Sequence, residues 1–252
     1  MNDKYTVILR RWSEDSESDK YYPIATSDSV KSANYLAEQR IGEPGDIIIV
    51  CDTAGVSDLA RYARDMYVCD EKGRARKPLN PRKELTNDHD SVNWIYAWEG
   101  VEARADYMVS MCDYFGVSKL IVSKIVIDCA KAALANDKSA SKSDRKAIEV
   151  CDKFIDGKAS AAEVQDAFHH TRHNMDLYFP NASSVSYNAL MYVTQSQSES
   201  ALHAIKIAAV VASNDSDESI RNFSVIVRAH VPMSAIMLAA YKRRKSVRNA
   251  NV

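Results

Sequence analysis

The chain has 252 residues, 46% of them hydrophobic and 27% charged, with 33 Lys and Arg against 34 Asp and Glu for a formal net charge of -1. That balance implies no global attraction to nucleic acid or to an anionic membrane, so any such contact has to come from a local patch. Seven glycines, about 3% of the chain against a usual share of about 7%, argue against turn-rich sandwiches and propellers and against glycine-rich phosphate loops.

Residues 4–12 read as a strand, with Tyr5, Val7 and Leu9 alternating with Thr6, Ile8 and Arg10. An acidic loop follows, and residues 20–26 supply a second strand that pairs back. Ser27 or Asp28 is placed to cap a helix running to about Arg40, with Gly42 and Gly45 after its end. The unbroken run Ile47-Ile48-Ile49-Val50-Cys51 has the pattern of a buried strand, and Ser57 is read as opening a further helix to about Met66. Residues 1–70 are thus expected to form a small α/β domain. Residues 71–93, with their cations, two prolines and the polar stretch TNDHD, read as a basic linker or exposed loop.

Helical periodicity dominates residues 94–252. Helices are expected near 102–115, 117–136, 185–197, 199–213, 217–230 and 232–246, the last opened by Pro232. Between them lies a hairpin. Ala147, Ile148, Cys151, Phe154 and Ile155 fall at helical spacing, Gly157 closes that helix, and Ser160-Ala-Ala-Glu163 is a capping box for the next. The segment 141–168, through Ala147, Ile148, Phe154, Gly157, Ala159 and Glu163, resembles a helical hairpin found in poorly characterised proteins of tailed bacteriophages and bacteria. The resemblance implies helical architecture and a phage origin, and carries over no catalytic residue.

No apolar run approaches the roughly 20 residues that span a bilayer, and the first residues lack the order of a signal peptide. Cys51, Cys69, Cys112, Cys129 and Cys151 are odd in number and widely spaced, as in reduced thiols of a cytoplasmic protein.

Several groups carry candidate chemistry. The strand ending in Asp52-Thr53-Ala54-Gly55 looks like the switch segment of small GTPases, but no G-x-x-x-x-G-K-[ST] accompanies it, so it reads as structure. Asp166, His169, His170 and His173 share one side of a helix, at spacings that let two imidazoles bind one metal, although that side lies opposite the apolar one and is ordinarily solvated. Asp88-His89-Asp90 is a weaker version of the same idea in the linker. Two basic groups, Lys72, Arg74, Arg76, Lys77, Arg82 and Lys83, and then Lys242, Arg243, Arg244, Lys245 and Arg248 beside Tyr241, are each dense enough to meet several phosphates. Trp94, Tyr96 and Trp98 are concentrated in an extended segment or a helix start, as at interfaces or as the lid of a core. No G-x-S-x-G, H-E-x-x-H, C-x-x-C or kinase signature is present.

The sequence therefore points to an α+β, predominantly α protein: a small N-terminal α/β domain followed by a multi-helix domain. The leading functional expectation is a non-enzymatic interaction or assembly protein, phage-encoded, without a cofactor, that meets a host or virion protein or a second copy through Trp94, Tyr96 and Trp98. The alternatives are nucleic-acid binding through the basic groups and a metal-dependent enzyme built on the 169–173 histidines.

Overall fold

A computed structural model of the protein describes residues 4–13, 18–78, 94–100, 103–176, 178–194, 201–213 and 215–250. The fold is α+β and predominantly helical, and it divides into two compact units, Met1–Glu102 with Pro232–Val252, and Ala103–Val231. The division differs from the expected break at residues 71–93. The first unit runs on to residue 102 and takes back the last stretch of the chain.

The first unit is built on a five-stranded antiparallel sheet in the order β2-β1-β3-β4-β5, with β1 (Tyr5–Ser13), β2 (Ser18–Ser27), β3 (Ile47–Asp52), β4 (Ala63–Cys69) and β5 (Ala75–Arg76). β3 sits in the middle, and Ile47 to Cys51 are all buried because the sheet is covered on both faces. On one face Val7, Ile48, Val50, Tyr67 and Cys69 pack with Ala33 and Ala37 of α1 (Val30–Glu38), which opens on the Ser29 hydroxyl accepting the Ser32 N–H. Each large aliphatic so buried stabilises the fold by about 1.5–3 kcal/mol. The remaining α-helices of this unit among the described residues are α2 (Leu59–Tyr62), α3 (Trp94–Glu99) and α11 (Met233–Ala250); α11 packs on α3 and β4. Met233, Ile236, Met237 and Ala240, one stripe of α11 at helical spacing, are buried.

Two local expectations are corrected. The helix expected from Ser57 to Met66 is only four residues long, Leu59–Tyr62, capped by the Asp58 side chain, and the chain then turns into β4. Ladder pairing of Ile47↔Val68 and Ile49↔Met66 with a buried central strand outweighs the helical propensity of that stretch. Residues 71–76 of the expected linker belong to the sheet, as the turn into β5 and β5 itself. Residues 79–93 lie outside the described residues.

The second unit holds α4 (Ala105–Phe115), α5 (Lys119–Asn136), α6 (Lys142–Ile155), α7 (Ala161–Asn174), α8 (Ala182–Thr194), α9 (Ala201–Ala212) and α10 (Ser216–His230). α5 is its hub, packing on α4, α6, α8, α9 and α10. The signals read from sequence are in place: α6 and α7 each open with a reciprocal capping box, Ser141 with Asp144 and Ser160 with Glu163, and Gly157 follows α6 at φ +70°. No single helix among the described residues is long and apolar enough to cross a membrane.

Candidate functional site

The turn between β4 and β5 is shaped by one carboxylate. Asp70 Oδ1 accepts the backbone N–H groups of Lys72 at 2.9 Å and Arg74 at 3.0 Å, while Oδ2 accepts Arg76 Nε at 2.8 Å. Partial burial opposes ionisation of Asp70, yet the Arg76 guanidinium and the two amides outweigh it and hold the carboxyl below its usual range. Gly73 is needed at the tip: it sits at φ +70°, and a Cβ there would come within 2.2 Å of the Gly42 carbonyl oxygen. Bound in this way, the turn presents Lys72 and Arg74 to solvent as exposed side chains.

The terminal basic group meets this turn. The Arg76 guanidinium lies 5.8 Å from the centre of the Tyr241 ring, Arg244 Nη1 donates to the Lys77 carbonyl oxygen at 3.3 Å, and Lys242 Nζ is 3.9 Å from the Glu71 carboxylate. Lys77 pairs with Asp65 and lies over the Tyr67 ring. Six cations (Lys72, Arg74, Arg76, Lys77, Lys242 and Arg244) thus lie at one edge of the sheet, and Arg243, between the last two in the chain, is exposed. Three carboxylates (Asp65, Asp70 and Glu71) are paired among them, so the cations outnumber the carboxylates they meet. Arg82 and Lys83 lie outside the described residues, as do the side chains of Lys245 and Arg248.

The other candidates fare differently. Trp94 and Trp98 of α3 are 2% and 0% exposed, so their rings belong to the core; the side chain of Tyr96 lies outside the described residues. The most exposed aromatics among the described residues are Tyr178 and Phe179, at 87% and 78%, in the connection from α7 to α8, where the Asp176 carboxylate accepts both of their N–H groups. The sequence marks this pair only by its place between Asp176 and Pro180, at a break in helical periodicity.

On α7, His169 and His173 are exposed and their rings stack with centres 6.4 Å apart, whereas His170 Nε2 lies 3.9 Å from the buried Asp144. Asp144 is already occupied by Ser141 and Ser183, and Asp166 is exposed. Among the described residues, no group of three or more His, Cys, Asp or Glu converges as a metal site. Of the other histidines, His230 pairs with Asp128 at 2.8 Å; Asp88-His89-Asp90 lies outside the described residues.

The Asp52–Gly55 segment is structural: Asp52 accepts two hydrogen bonds from Arg64, Thr53 bonds the Thr6 hydroxyl, and Gly55 packs against the Tyr62 ring. All five cysteines are free and buried, and burial raises each thiol pKa, to about 11 for Cys51 and Cys69. Comparison with known proteins finds no matching family model, curated protein or solved structure.

Proposed function

We propose that the protein binds nucleic acid through the basic edge of its first unit. What supports this reading is the meeting of two cation groups, 167 positions apart at Lys77 and Arg244, around one aromatic ring. Lys72, Arg74, Lys242 and Arg243 stand exposed, and the local charge excess contrasts with a chain whose net charge is -1. Such an excess supplies the sequence-independent part of phosphate binding, through release of condensed counterions.

The test is fluorescence anisotropy with labelled single- and double-stranded oligonucleotides. With four phosphates neutralised, the logarithm of the duplex association constant falls against log salt with a slope of about -3.6. Replacing Lys72, Arg74, Lys242 and Arg243 together by Ala removes binding while the helical circular dichroism is kept. Absence of binding to either strand form at about 50 mM salt, or unchanged binding by the fourfold variant, sinks the reading.

A second reading, interaction with a protein partner or a second copy, is favoured by the exposed Tyr178 and Phe179. Sedimentation velocity of the full chain and of the Tyr178→Ser, Phe179→Ser variant checks the self-association form, which predicts a concentration-dependent species that the variant lacks.

A further inference from the structure

Between α7 and α8 lies an open cleft of about 360 Å³, lined by Gln165, Phe168, His169, Arg172, Tyr187 and Met191. That volume falls in the range of small-ligand sites. The lining follows from helix geometry: α7 contributes residues at i, i+3, i+4 and i+7, and α8 contributes two residues one turn apart, so a single face of each helix builds the cleft. Phe168 and Tyr187 meet edge to face, 6.1 Å between centres at 76°, and Met191 is half-buried beside them. The walls are therefore aromatic and polarizable, suited to a flat ring.

The polar groups are as specific. Arg172 and Gln165 are exposed, and no hydrogen bond or ion pair among the described residues occupies either side chain. Gln165 offers an amide donor and acceptor to the edge of a heteroaromatic ring, and Arg172 offers a fork of N–H groups to phosphate oxygens. The two are seven residues apart on one helix face, about 10 Å along the axis, which matches the span of a nucleotide from base edge to phosphate. We propose that this cleft binds a nucleotide, with the base against Tyr187 and Phe168, its edge at Gln165 and its phosphate on Arg172. The chemistry is shared by a free nucleoside monophosphate and by one nucleotide of a single strand.

The experiment follows the methyl signal of Met191 in the full chain carrying labelled methionine methyls, during titration with adenosine 5′-monophosphate, adenosine or ribose 5-phosphate. The monophosphate moves this signal saturably through the ring current of its base. Adenosine needs at least tenfold higher concentration, and ribose 5-phosphate leaves the signal in place. Arg172→Gln weakens the monophosphate at least tenfold and leaves adenosine unchanged, while Tyr187→Phe retains the shift and Tyr187→Ala loses it. A short oligoadenylate strand, titrated into the variant lacking the four basic-edge cations, identifies the source: tighter binding than the monophosphate marks a strand, equal binding a free nucleotide. The basic-edge variant leaves the monophosphate shift intact, so this proposal and the one above fail separately. No Met191 shift at millimolar monophosphate, or equal affinity in Arg172→Gln, overturns it.

Discussion

Asp144 and Glu163 occupy the same third position of successive helices, α6 and α7, and both close a capping box, yet their surroundings separate their roles. Asp144 is 3% exposed; its carboxylate accepts the Ser141 N–H and hydroxyl on one oxygen and the Ser183 hydroxyl, at 2.6 Å, on the other. Its replacement by Ala strands Ser183 and removes the carboxylate half of the capping box, a loss of about 2–4 kcal/mol measurable by urea unfolding. Glu163 is on the surface, where the Lys153 ammonium at 2.8 Å and then the Ser160 N–H and hydroxyl lower its pKa to about 2. A carboxyl depressed in the folded state adds stability above its ordinary value of 4.5 and loses it as the pH falls toward about 2. Glu163→Gln is therefore expected to lower Tm at pH 7 at low salt, with the gap from the parent closing between pH 4.5 and 2. Added salt shrinks the gap as well, because the pair is solvent-screened.

At the level of elements, the turn after α6 is held by Gly157 at φ +70°, with open space where a Cβ would go. Gly157→Ala therefore clashes with nothing and reports backbone strain alone, about 1–2 kcal/mol by chemical denaturation. Such a glycine, like the capping boxes at Ser141 and Ser160, writes its structure into adjacent residues, and that is why the α6–α7 hairpin was legible in the sequence. β3 was legible as well, from five consecutive apolar residues. β4 was not: Ala63–Cys69 becomes a strand only by pairing with β3, and nothing local records that partnership. The burial of Trp94 and Trp98 likewise depends on long-range packing, so an aromatic run reads alike whether it faces solvent or core. The basic residues were each visible in the sequence, but their juxtaposition was not, since Tyr241 and Arg76 are brought together by the docking of α11 on β4. The cleft on α7 was hidden for a related reason. Phe168 and His169 are neighbours that belong to adjacent sides of α7, and the cleft lies along the seam where those sides meet beside Tyr187.

For the whole molecule, connectivity is the governing fact: the second unit is one continuous stretch, 103–231, whereas the first is made from 1–102 together with 232–252. A fragment of residues 103–231 is expected to fold alone and to unfold cooperatively by circular dichroism. A chain ending at residue 231 loses Met233, Ile236, Met237 and Ala240 from the first unit, and its near-ultraviolet tryptophan signal is expected to collapse while the second unit's helical signal survives. The inserted arrangement also sets a clock on biosynthesis. The Lys77 end of the basic edge leaves the ribosome 167 positions before Arg244, roughly 8–33 s at ordinary rates of translation. Throughout that interval the nascent chain carries only the β4–β5 half of the cationic edge, without Tyr241 to meet Arg76; on the proposed reading, capture of a polyanion waits until the second unit has been made.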